Sequence, residues 1–163
     1  MNKEALINEA RTLPVPGMEA GKLLDEAVDP LAKKITHYML AQPDLASLIG
    51  KGNEMMMETN HGNHFKYIAS LASLFDPTTL VETVLWVFRT YRSHGFDPQY
   101  WKVMLPEATN LIREILPEHQ NEIIPIYEWL LRNVDNFALL SETTSSFFEE
   151  MSTVHGVLDE NGS

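Results

Sequence analysis

Residues 61–101 read HGNHFKYIASLASLFDPTTLVETVLWVFRTYRSHGFDPQYW, and this run decides the fold class. Phe65, Ile68, Leu71, Ala72 and Phe75 recur at steps of three and four, the period of a helix that buries one stripe. Asp76-Pro77 then supplies a cap followed by proline at the first helical position, where the missing N–H costs nothing. Leu80, Val81, Val84, Leu85, Val87, Phe88 and Tyr91 follow at helical spacing until Gly95 ends the run. This second helix is apolar on most of its sides, which predicts a central position. Asp97-Pro98 repeats the start signal for a third helix, with Trp101, Met104, Leu105, Ala108, Leu111, Ile112 and Ile115 inward and a kink predicted at Pro106.

Outward from this stretch the pattern stays helical. The first helix of the run extends back to residue 53 through Met56 and Met57, and its apolar stripe is interrupted by polar Asn60-His61-Gly62-Asn63. Upstream, Asp29-Pro30 starts a helix with Leu31, Ile35, Tyr38 and Met39 on one face, and Pro43-Asp44 starts a short one through Ile49 that Gly50 stops. Downstream, a long helix is expected over about 118–141, with Ile123, Ile126, Tyr127, Leu130, Val134 and Phe137 on one face and Pro125 bending its first turns. Residues 1–20 form an accessory segment, a short helix through Ala5, Leu6, Ile7 and Ala10 followed by the hinge Leu13-Pro14-Val15-Pro16-Gly17. Residues 143–163 form a polar tail, expected to be partly disordered, with one weak amphipathic patch at Phe147-Phe148 and Met151. No run reads as a β-strand, so the class is all-α, with the folded domain over 21–142.

Composition narrows the function. A chain of 163 residues is long enough for one domain with a substantial core. The absence of cysteine excludes disulfides, thiolate catalysis and Cys-ligated zinc, and with eight methionines it suits a reducing cytoplasm. No leader pattern or membrane-spanning run is present, which again points to the cytoplasm. A net charge of −11, from 12 basic and 23 acidic residues, repels phosphate backbones, so nucleic-acid and anionic-membrane binding are disfavoured. The glycines are scattered singly, without a phosphate loop or nucleophile elbow, and no catalytic motif emerges. The chain does not read as an enzyme.

Several side chains invite chemistry, each with a plainer reading beside it. Glu58, His61 and His64 share helical spacing that can reach one ion, yet a di-iron site needs a second Glu-x-x-His, which is missing, and histidines near a glycine commonly decorate a solvated face. Met55-Met56-Met57 points around its helix and is better read as core filling than as a copper site. Glu107, Glu114, Glu118, Glu122 and Glu128, with Arg113 and Arg132, form a solvated face or the rim of a dimer seam.

Over roughly residues 25–140 the helix order, Gln42-Pro43-Asp44-Leu45-Ala46, Phe75-Asp76 and Gly95-Phe96-Asp97-Pro98-Gln99-Tyr100-Trp101 together resemble the globin-coupled sensors and protoglobins, a group with haem-free regulatory members. The resemblance implies a globin-like bundle of six to seven helices with the short N-terminal helix as an accessory. It implies a haem or an apolar ligand between the distal and proximal helices, and a homodimer through residues 98–140. Carried over by position, Tyr91 stands where haem-binding members place the proximal histidine. Phe65 and Ile68 would line the distal wall, His61 or His64 would lie near its entrance, Phe88 would line the pocket and Trp101 would pack beneath it. Tyrosine can bind ferric haem as phenolate, with help from a cation such as Arg92, but it also serves as a plain buried aromatic. His94 is a fallback ligand that more commonly complements a helix C-terminus. The missing proximal histidine argues against haem. Three readings follow: a haem-free sensory module with a small apolar ligand and a signalling partner, a haem globin that senses or carries diatomic gas, and a structural adaptor without ligand.

Overall fold

The structure, a computed structural model, describes residues 1–142. The tail at 143–163, with its expected Phe147-Phe148 patch, lies outside the described residues. Eight helices come in order as α1 (Lys3–Ala10), α2 (Met18–Glu26), α3 (Val28–Leu40), α4 (Leu45–Ile49), α5 (Glu54–Leu74), α6 (Pro77–Ser93), α7 (Gln99–Ile115) and α8 (Gln120–Arg132). A further helical stretch, α9, covers 134–142. Among the described residues there is no strand, so the protein is all-α, and no helix is long and apolar enough to cross a membrane.

The start and stop signals act locally as their chemistry dictates. Asp76 caps α6 by accepting a hydrogen bond from the Thr79 amide at 2.8 Å, with Pro77 inside the first turn. Gly50 and Gly95 both take positive φ, 82° and 98°, and the two turns meet. Asn53 clamps them: its side-chain amide donates to the carbonyls of Ile49 and His94, each at 2.7 Å, while the Asp97 amide donates to Leu48 O at 2.8 Å. The chain therefore enters α5 and leaves α6 at one fixed corner.

Packing is uneven around α5. Helices α2 and α3 pack on it, α3 also packs on α7, α7 pairs with α8, and α1 lies against α6. Helices α5 and α6, although joined by two residues, are not closely packed along their lengths. Leu6 and Ala10 of α1 and Ala20 of α2 are fully buried in the core, so residues 1–20 contribute to it directly. Glu9 secures α1 by accepting hydrogen bonds from the Trp129 indole at 3.1 Å and the Asn133 amide at 2.9 Å.

Four expectations are corrected. Helix α6, expected at the centre, is buried along one face only, through Leu80, Val81, Val84, Leu85 and Phe88, with Trp86 exposed. Helix α2 does not appear in the sequence pattern, where its residues follow a Pro/Gly hinge, and α3 starts at Val28 rather than after an Asp29 cap. The single helix expected over 118–141 is broken at Asn133, whose side chain bonds Glu9 and the Trp129 carbonyl and so competes with the helical ladder. The helix resumes when Phe137 N bonds Asn133 O at 2.9 Å. Both α7 and α8 run through Pro106 and Pro125 without interruption.

The contact of α2 with α5 depends on Gly21, where an added Cβ would collide with the Ala72 side chain and lie 3.0 Å from the Ala69 carbonyl oxygen. Gly62, within α5, has open space around the same position. Gly21→Val is therefore expected to destabilise the fold by about 1–3 kcal/mol, whereas Gly62→Ala should stabilise it by roughly 0.5–1 kcal/mol. Urea denaturation of the two variants measures both, and equal effects would refute this account of the α2–α5 contact.

Candidate functional site

Between α5 and α6 lies a cavity of about 470 Å³. Its α5 wall is Met56, Asn60, Asn63, His64, Tyr67 and Ile68, a helical stripe roughly 18 Å long at the α-helical rise. The facing wall runs along α6 from Leu80 to His94, including Thr83, Val84, Trp86, Val87, Phe88, Thr90 and Tyr91, and the floor is Trp101 and Leu105 of α7 with Leu130 of α8. Polar side chains lie on both walls, Asn60, Asn63, His64 and Tyr67 on α5 and Thr83, Thr90 and Tyr91 on α6 with His94 at its end, and Tyr67 hydrogen-bonds Thr83 across the space. Apart from histidines, no acidic or basic side chain lines the space.

His64 lines the cavity, and its Nε2 is 2.8 Å from the Tyr127 hydroxyl. The residue is half-buried in the cavity wall. Desolvation, with a smaller contribution from neighbouring His61, pushes its pKa down from 6.5 to about 3, and the imidazole stays neutral.

His61 does not reach the cavity and is not on a solvated face either, being only 1 % exposed. Its Nδ1 lies 2.7 Å from Thr36 Oγ1 of α3 and its Nε2 lies 2.8 Å from the Tyr100 hydroxyl of α7. A neutral imidazole offers one donor and one acceptor, so one hydroxyl donates to the ring and the other accepts from it. Burial pushes this pKa down to about 4. Glu58 is exposed, away from the buried His61, and no group of three or more His, Asp or Glu side chains among the described residues is arranged to hold a metal ion.

Of the other residues singled out in the sequence, Tyr91, His94, Ile68, Phe88 and Trp101 line the cavity with His64, while Phe65 is fully buried behind it. Tyr91 packs its ring on Trp101 and Phe96, with centroids 4.8 and 4.9 Å away, and burial raises the pKa of its phenol. Arg92 does not support it: the guanidinium turns to α9, donating to Ala138 O at 2.6 Å and Ser141 Oγ at 2.9 Å. His94 is the exposed C-cap of α6 at the rim. Met55, Met56 and Met57 diverge as expected, to solvent, cavity and core. Unforeseen wall residues are Asn60, Asn63, Thr83, Thr90, Trp86 and Leu130. The positions 56, 60, 63, 64 and 67 do form a helical stripe, a signal that could have flagged the α5 wall.

No family model, characterised protein or solved structure matches the chain. The site must therefore be interpreted from its own chemistry. The residues present do not suit haem. Its iron would meet a phenol held protonated by burial, with Arg92 turned away, the His64 ring, whose Nε2 is taken by Tyr127 and which keeps only Nδ1, or His94 on the exposed rim. Its carboxylates would find no Lys or Arg in the lining. The space suits an apolar molecule whose polar end meets neutral side chains.

The two depressed histidines set an acid limit on the fold. Below about pH 6.5 the unfolded chain takes up protons that folded His61 and His64 refuse, so stability falls as pH drops from about 6.5 towards about 4. The slope reaches about 1.4 kcal/mol per pH unit for each ring. Asp76, held low by the Thr79 amide, and Glu122, held low by His119 and the Gly17 amide, act only at lower pH. Urea denaturation across this window should show His61→Gln, which can retain both hydrogen bonds, losing about one histidine's share of the slope. An unchanged slope would mean that His61 already takes a proton in the fold.

Proposed function

We propose that the protein is a sensory or regulatory module of globin-like arrangement that holds a small apolar ligand between α5 and α6 and acts through a partner protein or a homodimer. The observation that carries this reading is the 470 Å³ cavity, largely apolar on its floor and along α6 and without a Lys, Arg, Asp or Glu side chain in its lining. Pockets of this volume and lining are the usual sites of small hydrophobic ligands. Its floor comes from α7 and α8, so occupancy presses on the helices within the proposed dimer segment 98–140. A ligand shifts such a pair only by binding two packings unequally. Leu131 and Leu139, 37 % and 63 % exposed, supply apolar surface at that end.

The test is to purify the full chain from haem-replete cells, record its absorption, and analyse an organic extract by mass spectrometry. The expected outcome is no Soret band and one extractable apolar compound near stoichiometric amount. Adding a cavity ligand at about one hundred times its Kd should stabilise the protein by about 2.7 kcal/mol. Val87→Trp, which fills the space, should abolish retention and stabilisation while leaving the fold intact. A stoichiometric Soret band would replace this reading with the haem globin. No extractable compound and no stabilisation by any apolar compound would leave the structural adaptor.

A further inference from the structure

The lining carries information on the ligand's head group, which follows from where charge is absent. Neither wall nor floor of the cavity contributes a Lys or Arg side chain. A carboxylate or phosphate drawn into it would lose its hydration without gaining a counter-ion, which is the costliest form of polar burial. His94 stands only at the rim, on the exposed end of α6. The whole chain, with a net charge of −11, adds a field that opposes anions.

Hydrogen-bonding capacity, in contrast, remains unspent on the α5 wall. Among the described residues the side-chain amides of Asn60 and Asn63 make no hydrogen bond, and His64 retains its Nδ1 beside them. Asn60 is half-buried, so its amide groups gain most from a ligand that bonds them. Opposite, Val84, Val87 and Phe88 are apolar and Thr83 is hydrogen-bonded to Tyr67, and the elongated wall accommodates an extended chain.

We infer that the cavity takes a neutral long-chain lipid with one hydrogen-bonding head group, an alcohol or ester lodged at Asn60, Asn63 and His64, and discriminates against the matching carboxylate. This rests on the cavity being a binding site, as proposed above. His64 cannot rescue the anion near neutral pH, because its ring is held uncharged there.

The test uses the full chain and three probes of one chain length: decan-1-ol, methyl decanoate and decanoate, titrated calorimetrically at mildly alkaline pH, where the acid is fully ionised. The alcohol and the ester are expected to bind at least tenfold more tightly than the anion. Lengthening the alcohol should tighten binding by about fourfold for each CH₂ buried. Asn60→Leu should weaken the alcohol by about three- to tenfold, and Asn63→Lys, on the exposed edge of the wall, should shift preference towards decanoate. Decanoate binding as tightly as the alcohol to the unmodified chain would overturn the inference while leaving the cavity a lipid site. Failure of all three probes to bind would overturn the cavity as a lipid site and the inference with it.

Discussion

The buried imidazole of His61 determines how the rest of the molecule is placed. It bridges Thr36 and Tyr100, 25 residues before it and 39 after, and so joins α3, α5 and α7 through two hydrogen bonds inside the core. Removing either hydroxyl would leave a buried ring nitrogen without a partner, a loss of about 1–3 kcal/mol. The bond pair acts with Gly21, which lets α2 approach α5 closely, so α5 is held from the side away from α6.

Helix α6 is likewise held from its outer sides. Helix α1 lies against it, Phe88 stacks on Trp101 at 5.1 Å and meets Phe137 at 5.6 Å, and Arg92 ties its end to α9. The two helices meet at their ends, through the Phe75-Asp76 turn and the Asn53 clamp near Gly50 and Gly95, and between them through a side-chain hydrogen bond of Tyr67 with Thr83. Each is anchored elsewhere, so the space between them persists. The cavity is thus a consequence of where the two helices find their partners.

Local chemistry was legible in the sequence where it is short-ranged. Asp76-Pro77, Gly50 and Gly95 placed the ends of α4, α5 and α6 closely, and the periodic apolar residues indicated an all-helical chain. What depended on distant partners was not legible. Asn60-His61-Gly62-Asn63 reads as one polar patch, yet its members divide between core, cavity and solvent according to helices that the local pattern does not describe. Asn133 looks like any helix residue until Glu9 bonds it. The apolar residues of α6 suggested a central helix, yet only Leu80, Val81, Val84, Leu85 and Phe88 are buried and Trp86 is exposed, because apolar residues facing a packed neighbour and apolar residues facing a cavity have the same spacing. Ile68, Phe88 and Trp101 were singled out as lining only through the resemblance to sensor globins, while Trp86, Leu105 and Leu130 carried no distinguishing mark.

Energetics gives the cavity its meaning. A space of 470 Å³ that opens to water past exposed Trp86, Asn63 and His94 leaves apolar side chains of its walls against solvent, a loss of roughly 25 cal/mol for each Å² left uncovered. Closure of α5 onto α6 would remove that cost, but it would break the His61 bridge and the Gly21 contact that hold α5 in place. The polar stripe of Asn60, Asn63 and His64 reduces the penalty by letting water occupy one side, since a hydrated cavity needs several polar partners. Water on that wall still leaves Val84, Val87, Phe88 and Trp101 facing it, and apolar surface of that extent is better covered by hydrocarbon. A molecule with a polar end for α5 and an apolar body for α6 satisfies both walls at once, and neither water nor a purely hydrocarbon guest does so.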